Sequence, residues 1–400
     1  MWIHEIARVL PGPVYLVGGA VRNTLMGLPI ADYDMCGPLR PEEVVAACQG
    51  SEVRAVLRAA HFGTVELHVK DDEGRHMAEY TTFRIDSYRG GHSPSEVRFA
   101  KDIPTDSLRR DFSVNALYQQ ILPQGLGQVI DPTGGLKDLA NRRLHTVTQD
   151  PLQVMKDDGL RLLRLVRFAC EFGLVPSCEL LACAREQAGL LKEIVPERLK
   201  DEWQKILLSD VRYPQLQRET PPVQMGLELL DRLGFFPYLL PGLELDLGAC
   251  AAYEPQSLAG RLAALLKNAS PAAAQKALGD LKFSNQVIED TARLMALWQA
   301  YPGWNCPLWD ACQAGEQGVR HLVACLEASG QASAPLKETW QTLLASRAPL
   351  SLKELAVNGR DLAARGLWGP AIGQTLERLW RAAVINPGCN TREGLMRQLP

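Results

Sequence analysis

Residues 14–35 read VYLVGGAVRNTLMGLPIADYDM, and this stretch decides the fold of the first part of the chain. Its first four residues are apolar or aromatic and predict a short buried strand. Gly18 and Gly19 allow a tight turn in which the backbone can come close to a ligand. Residues 20–26 predict a helix whose free N–H groups face that turn, which suits the binding of an anion. A second strand is predicted over 30–35.

Two aspartates of the second predicted strand, Asp32 and Asp34, stand two positions apart. Side chains at this spacing on a strand point to the same face, so the two carboxylates can hold a divalent metal ion together. Carboxylates and phosphate oxygens are the usual ligands of Mg²⁺. Because the pair is predicted to lie near the glycine turn, we interpret Asp32 and Asp34 as metal ligands and catalytic residues of a metal-assisted nucleotidyl transfer.

The composition narrows the class of protein. A length of 400 residues is too great for one hydrophobic core and predicts two or more domains. The absence of long apolar runs and of a signal peptide predicts a cytoplasmic protein without a membrane span. The ten cysteines form no C-x-x-C pair and are expected to be reduced thiols. A net charge of −3 argues against a protein that coats nucleic acid, but it permits a local basic groove.

The pattern of predicted elements changes near residue 150. Before this point short β-like runs alternate with helices, and after it the pattern is helical to the end. The predicted strands are 14–17, 30–35, 63–70, 77–83 and 97–99. A mobile loop, rich in glycine and serine, is predicted over 85–95. The sequence therefore predicts an α+β protein, in which an N-terminal domain with a small mixed sheet precedes an all-helical remainder.

Five further motifs follow the glycine turn along the chain. They read AEYTTFR at 78–84, RRDFSVNAL at 109–117, DPTGGLKDL at 131–139, DDGLRLLRLVRF at 157–168 and PER at 196–198. Together with LVGGAVR and DYD they resemble the signature of the class II tRNA nucleotidyltransferases, which are the CCA-adding enzymes and their poly(A) polymerase relatives in the polymerase-beta-like nucleotidyltransferase superfamily. The resemblance implies a nucleotidyltransferase catalytic head over 1–140, a helical neck over 141–210 and a tRNA-binding body and tail over 211–400.

The implied activity is the template-independent addition of CCA to the 3′ end of tRNA. It would use CTP and ATP with Mg²⁺ and release pyrophosphate. The implied partners are tRNA and the two nucleotides, with no stable protein partner. Because both aspartates are present, a non-catalytic tRNA-binding protein is disfavoured.

Three related activities stay open. Relatives that add only CC lack a flexible loop between the first two motifs, and the loop at 85–95 fills that place, so complete CCA addition is favoured over CC-only or A-only addition. Poly(A) polymerases carry a basic, phenylalanine-containing segment soon after the aspartate pair. Residues 35–40 do not resemble that segment.

Three residues of the first two motifs are predicted to bind the nucleotide. Gly19 would let the backbone approach the triphosphate, and Arg22, one helical turn further on, could reach a phosphate oxygen. One of the neighbours Arg109 and Arg110 is expected to form a salt bridge with Asp111 while the other faces the nucleotide. The resemblance places the nucleotide contact on Arg110.

A base-reading surface is predicted at the start of the helix over 161–172. Asp158, Arg161, Arg164 and Arg167 stand three positions apart, so they would form a stripe along one helix. A carboxylate beside a guanidinium offers acceptors and donors to the Watson–Crick edges of cytosine and adenine, whereas guanine and uracil would leave the arginine unpaired. An ordinary salt-bridged helix face is the alternative. The resemblance favours the base-reading role.

Two positions depart from the family pattern. Asn23 replaces the usual Asp and is expected to keep a hydrogen bond on the helix surface, and Asp157 replaces the usual Glu of the fourth motif. Glu79 is either a third catalytic carboxylate or a surface residue of an edge strand. Weaker matches at 358–362 and 369–373 include a helix start that either contacts tRNA or only connects two helices.

Overall fold

The computed structural model describes residues 2–88 and 96–399. It divides into two compact units, Met1–Pro241 and Gly242–Pro400. The first unit combines a seven-stranded sheet with helices, whereas the second is built from helices in the part that the structure describes. None of the described helices is long and apolar enough to cross a membrane.

All strands of the described residues lie in the first unit. They are β1 (Val14–Val17), β2 (Tyr33–Gly37), β3 (Arg54–Ala59), β4 (Thr64–Asp71), β5 (Gly74–Thr82), β6 (Arg84–Ser87), β7 (Glu96–Phe99), β8 (Tyr118–Leu122), β9 (Gly125–Ile130), β10 (Arg143–Leu144) and β11 (Val175–Pro176). The main sheet has the order β3-β4-β5-β2-β1-β8-β9. Strands β2 and β5 run parallel and the other neighbours run antiparallel, so the sheet is mixed, as predicted.

Helices flank the sheet and then continue the first unit. They are α1 (Ile3–Val9), α2 (Gly19–Leu25), α3 (Pro41–Cys48), α4 (Ile103–Ser107), α5 (Gly135–Ala140), α6 (Pro151–Asp157), α7 (Leu160–Phe172), α8 (Cys178–Glu186), α9 (Pro196–Leu207), α10 (Ser209–Arg212), α11 (Pro222–Arg232) and α12 (Phe236–Leu239). Several begin as the sequence dictates, with an Asp or Ser side chain accepting a hydrogen bond from the first turn or with proline at the first helical position.

The strands place alternate side chains on the two faces of the main sheet. In β2, Tyr33 and Met35 pack in the larger apolar core, to which α1, α2 and α3 also contribute. Asp34 and Cys36 belong to the opposite face, where Cys36 packs in a smaller core with Phe83. This alternation is why a carboxylate can project from the middle of an otherwise buried strand.

Helix α7 is almost completely buried, since Arg164 alone among its residues is only partly buried. It packs against α9 and α11. The ring of Phe112 meets Phe168 edge-on at a centroid distance of 5.5 Å, and Phe172 packs on Tyr213 at 5.2 Å. These aromatic contacts fix the orientation of α7, and therefore of the arginines that it carries.

The second unit consists of packed helices. They are α13 (Leu247–Ala251), α14 (Leu258–Leu265), α15 (Pro271–Asp280), α16 (Asn285–Ala300), α17 (Pro307–Ala328), α18 (Ala334–Ala345), α19 (Gly359–Ala363), α20 (Pro370–Ile385) and α21 (Arg392–Met396). Gly315 interrupts α17 with a left-handed φ of 70°, which kinks the helix. Three apolar clusters form its core, the last of them between α19, α20 and α21.

The sequence misplaced or missed several strands. The strand predicted over 30–35 begins at Tyr33, so Asp32 lies in the bend before β2. Strands β3, β8 and β9 were not predicted. The loop predicted over 85–95 is wrong for residues 85–87, which belong to β6 and pair with β7, and residues 89–95 lie outside the described part of the chain.

The two-residue strands β10 and β11 pair in parallel within the region predicted to be helical. The predicted boundaries at 140 and 210 both lie inside the first unit, and the three-part division stays a prediction.

Candidate active site

A polar cavity of about 760 Å³ lies in the first unit. Its walls come from β1, α2, β2, β5, α7 and α9, so it is assembled by the sheet and by the helices that follow it. It is lined by every residue that the sequence predicts for the site: Gly19, Arg22, Asp32, Asp34, Glu79, Arg110, Asp158, Arg161, Arg164 and Arg167. The fold thus brings carboxylates and arginines from distant motifs to one place, while their individual roles stay predictions.

Three carboxylates line this cavity, those of Asp32, Asp34 and Glu79. Asp34 of β2 lies directly beside Glu79 of β5 in the parallel register, and Asp32 precedes β2. Asp34 is exposed to the solvent of the cavity, but the surrounding protein still desolvates it in part, and this burial and then the charge of Glu79 raise its pKa to about 6, with Asp32 adding to the rise. The nearby arginines therefore do not cancel the negative charge of this group. An oxygen-rich, negatively charged set of ligands fits a divalent cation.

Glu79 does not lie on an edge strand. Strand β5 runs between β4 and β2 in the interior of the sheet, so the edge-strand part of the alternative is wrong, although the Glu79 side chain is exposed, as that alternative expected. Burial and the neighbouring charge of Glu66 raise the pKa of Glu79, while Arg84 acts in the opposite direction. The position suits a third metal-binding carboxylate, a role that stays a prediction.

The glycine turn needs glycine at its first position. Gly18 has φ 66° and ψ −122°, a conformation that residues with a Cβ rarely adopt. Its N–H donates to the carbonyl of Leu117 at 3.2 Å, which ties the turn to the end of the loop before β8. The turn therefore directs the start of α2, including Gly19, toward the cavity.

Arg22 is buried on α2, and amide oxygens hold its guanidinium. Nη1 donates to Oδ1 of Asn115 at 2.5 Å, and Nη2 donates to Oδ1 of Asn23 at 2.8 Å. The guanidinium also stacks 4.0 Å from the ring of Phe172. Burial, and then the charge of Arg167, lower the pKa of Arg22 to about 10. The acids Glu171 and Asp111 act in the opposite direction but do not outweigh these two causes, so an anionic ligand in the cavity would stabilise the charged guanidinium further.

Asn23 was predicted to form a hydrogen bond on the helix surface. It lies in the interior instead, with 3% of its surface exposed. Its Nδ2 donates to the carbonyl of Pro29 and to the hydroxyl of Tyr213, both at 2.8 Å. Because its Oδ1 accepts from Arg22, Asn23 connects that arginine with Tyr213 at the end of α10.

The arginine pair before the second motif has a different partner from the one predicted. Arg109 and Arg110 both bond to Asp106, at 2.8 Å from Nε of Arg109 and 3.0 Å from Nη2 of Arg110. Asp111 instead accepts a hydrogen bond from Arg164 at 2.7 Å. The spacing decides this outcome, because positions three and four apart in the helical turn at the end of α4 face one another, whereas adjacent positions do not.

Asp158 is not part of the helix that carries the arginines. It follows α6 in an extended conformation, with φ −148°, and Gly159 separates it from α7. Its Oδ1 accepts from the N–H of Leu160 at 3.1 Å, and its Oδ2 pairs with Nη2 of Arg198 at 2.6 Å. Asp158 and Arg161 still line the same cavity, but as neighbours across a helix start and not as a stripe.

The three arginines of α7 have distinct environments. Arg161 donates to two backbone carbonyls, those of Val154 at 2.9 Å and of Arg109 at 2.5 Å. Arg164 pairs with Asp111, and the charges of Arg164 and Arg161 hold the pKa of Asp111 well below its usual range although burial acts to raise it.

Arg167 is the most enclosed member of this group. It lies between Glu202 at 2.5 Å and Glu171 at 2.8 Å, so it resembles the salt-bridged alternative more than a residue free to bind a base. Arg161 differs in that its two short hydrogen bonds go to backbone carbonyls, while its carboxylate partner, Asp157, lies further away at 3.9 Å.

The sequence missed the residues that hold the arginines in place. Asp106 could have been found, because it stands three and four positions before Arg109 and Arg110. Asp111 and Glu202 could not, since 53 and 35 residues separate them from Arg164 and Arg167 and no local pattern indicates such pairs.

Models of two protein families match the chain. A model described as the Poly A polymerase head domain matches residues 14–145, and a putative tRNA nucleotidyltransferase domain 2 matches residues 255–399. The first match covers the sheet and its glycine turn, and the second covers most of the second unit.

Curated relatives and a solved structure extend the similarity over the whole length. The CCA-adding enzyme of Limosilactobacillus fermentum is 31% identical over 96% of this chain and 91% of its own. That of Geobacillus kaustophilus is 31% identical over 95% and 90%. The crystal structure of the Bacillus stearothermophilus CCA-adding enzyme in complex with CTP superposes with a TM-score of 0.78 at 27% identity, covering 99% of this chain and 96% of that one.

Proposed function

The chain belongs to the family of CCA-adding enzymes, and we propose that it adds CCA to the 3′ end of tRNA from CTP and ATP. The observation that carries the proposal is the cavity in which Asp32, Asp34 and Glu79 face several arginines beside the glycine turn. Enzymes of this nucleotidyltransferase family use a divalent metal, and we propose Mg²⁺ here. A cation on Asp32 and Asp34 would supply Lewis-acid chemistry at phosphorus.

The chain's own residues supply the binding of the nucleotide. The start of α2 at Gly19 lets the backbone approach the triphosphate. Arg22 and Arg110 offer positive charge to its oxygens, and the lowered pKa of Arg22, which an anion would raise, supports this role. Placing the phosphates against fixed donors orients the reacting groups before the bond forms, which lowers the barrier without further reorganisation.

Base choice is proposed for Asp158 and Arg161. The Asp158 carboxylate would accept from the exocyclic amine that both cytosine and adenine carry, and Arg161 would donate to their ring acceptors. Because Arg198 and two backbone carbonyls already orient these groups, uracil or guanine would meet donors and acceptors in the wrong places. Arg164 and Arg167 would act mainly by holding α7 in place.

Contact with tRNA is proposed for the second unit. The chain after α18 carries eight lysines and arginines against four aspartates and glutamates, although the whole protein has a net charge of −3. Trp368, between α19 and α20, has 75% of its surface exposed, and exposed rings of this kind stack on nucleotide bases or riboses. Local positive charge with an exposed aromatic ring supports an RNA-binding surface there.

A product analysis tests the proposed function. The purified protein is incubated with Mg²⁺ and with tRNA that lacks its 3′ end, with tRNA ending in C and with tRNA ending in CC. Each reaction contains one or all four nucleotides, and the 3′ ends are sequenced. We expect products that end in CCA and no further growth.

Each alternative gives a different product. Products that end in CC, or addition of A to CC ends alone, would indicate a partial enzyme, and long adenosine tracts would indicate a poly(A) polymerase. The variant Asp72→Asn is a control for changes at the carboxylates of the cavity. It changes an exposed acid of the β4–β5 hairpin in the same sheet and should leave the product unchanged. The cytoplasmic location stays a prediction.

A further inference from the structure

Asp106 is a fully buried carboxylate that lies outside the cavity but touches residues that line it. Its side chain has no exposed surface. It accepts hydrogen bonds from Nε of Arg109 at 2.8 Å, from Nη2 of Arg110 at 3.0 Å, from the hydroxyl of Tyr118 at 2.8 Å and from the backbone N–H of Arg84 at 3.2 Å. A single carboxylate therefore holds both arginines of the second motif.

The contacts continue from Asp106 to the predicted base-reading residue. Nη2 of Arg161 donates to the backbone carbonyl of Arg109 at 2.5 Å. On the other side of Asp106, the guanidinium of Arg110 lines the cavity near the glycine turn, where its Nη1 would be 3.8 Å from a Cβ placed on Gly18. One buried group thus lies between the proposed phosphate-binding and base-reading parts of the site.

The charge of Asp106 is essential to this arrangement. Burial acts to raise the pKa of Asp106, but Arg110 and Arg109 hold it well below its usual range, so the group stays ionised at neutral pH. Two guanidinium groups this close repel one another unless an anion lies between them. With a neutral side chain at this position, Arg109 would keep only the more distant carboxylate of Asp86, 3.7 Å away, and Arg110 only the hydroxyl of Tyr118, so the two could separate.

We propose that Asp106 is a positioning residue that couples triphosphate binding to base choice, by fixing Arg110 directly and Arg161 through the backbone of Arg109. The inference rests on the proposed function. Triphosphate binding and base choice should therefore change together when the Asp106 carboxylate is altered, although Asp106 itself touches no substrate.

The test compares Asp106→Asn with the wild-type protein. Equilibrium binding of CTP, ATP and UTP is measured first, and then kcat and KM for each nucleotide on the matching tRNA. We expect KM for CTP and ATP to rise by about tenfold, because charge-assisted hydrogen bonds to the arginines are lost. The preference for CTP over UTP should fall in the same variant, in both binding and kcat/KM.

The control is Asp102→Asn, at the exposed N-terminus of the same helix α4. Asp102 caps that helix through the N–H of Thr105, and asparagine caps helices equally well. This variant should keep the wild-type KM and base preference. A purely structural role for Asp106 would lower the melting temperature or the active fraction while KM and base preference stayed unchanged, and that result would overturn the proposal.

A second variant tests the proposal if Asp106→Asn does not fold. Arg109→Lys keeps the positive charge beside Asp106 but loses the guanidinium geometry, so the Arg109 carbonyl that holds Arg161 should shift. We expect a reduced CTP-to-UTP preference with a smaller change in KM than in Asp106→Asn, and an unchanged preference would contradict the coupling. Wild-type protein that neither binds CTP nor extends tRNA would instead refute the proposed function.

Discussion

The two units of the chain differ in where they keep their charged side chains. Among the described residues, the first unit buries seven of them and the second buries one, Arg261. The seven of the first unit are Arg22, Asp106, Asp111, Arg161, Arg167, Glu171 and Glu202. Each of these lines the cavity or contacts an arginine that does. In the second unit the core clusters are apolar, and ion pairs such as Glu393–Arg397 are exposed, although Lys267–Asp246 is partly buried.

The first unit keeps buried charged side chains at a cost in stability. Removing a charge from water costs several kcal/mol, and a buried ion pair is often no better for folding than an apolar pair of the same size. A protein that needed only a stable fold could pack the first unit as it packs the second. The concentration of buried charges around one cavity therefore indicates that they are kept for the ligand and not for the fold.

The largest effect is expected at the carboxylates themselves. Asp32→Ala and Asp34→Ala should each reduce nucleotide incorporation to the background level, because a metal could no longer bridge the protein and the phosphates. The melting temperature should stay close to that of the wild type or rise in Asp34→Ala, since burial and the charges of Glu79 and Asp32 already disfavour the ionised form of Asp34 and raise its pKa. Incorporation is measured with labelled CTP. Activity near the wild-type level in either folded variant would refute the metal assignment.

Removing a single buried acid should lower the free energy of unfolding of the first unit strongly. Glu202→Ala leaves Arg167, which has only 5% of its surface exposed, with Glu171 as its remaining carboxylate partner. Removing one member of a buried ion pair typically costs about 3–5 kcal/mol. We expect a loss of this size in the denaturant-induced unfolding of the first unit. Glu202→Gln, which keeps a hydrogen-bond acceptor, should lose less. A cost below about 1 kcal/mol would mean that Arg167 finds another partner.

An intermediate effect is expected when the proposed base-reading carboxylate is removed. In Asp158→Ala the acceptor for the exocyclic amine is lost, so discrimination against UTP should fall by about 1–3 kcal/mol, as expected for an unsatisfied polar partner. The measurement is kcat/KM for CTP, ATP, UTP and GTP. Asp201→Ala is the control, because it removes an exposed carboxylate from α9, the helix that supplies Arg198. An unchanged CTP-to-UTP ratio in Asp158→Ala would place the base-reading residues elsewhere in the cavity.

The sequence predicted the parts of the site that are continuous along the chain. Motifs that are continuous along the chain were found, and the glycine turn, the aspartate pair and the arginines of α7 all reach the cavity. Strands such as β3, with exposed arginines at both ends, were missed because no buried alternation distinguishes them from a loop or a helix.

The partners of the arginines were harder to predict. A helical stripe was expected to include Asp158, but Gly159 begins a new helix and turns the aspartate toward Arg198, 40 residues further along the chain. Asp111 was expected to pair with its neighbour and pairs with Arg164 instead. Spacing predicts which residues share a helix face, whereas the choice of a buried partner depends on how the helices pack.

The smallest effect is expected in the second unit. Glu393 and Arg397 stand four apart at α21, and each side chain has 77% of its surface exposed. Water screens such a pair, and holding two long side chains together costs entropy, so Glu393→Ala should change the free energy of unfolding by less than about 1 kcal/mol. The change should shrink further at high salt. Chemical denaturation of Glu393→Ala and Glu202→Ala, side by side at low and high salt, measures the contrast directly. If the exposed pair proved as costly to break as the buried one, burial would not be what separates the two units, and the charges around the cavity would need no ligand to explain them.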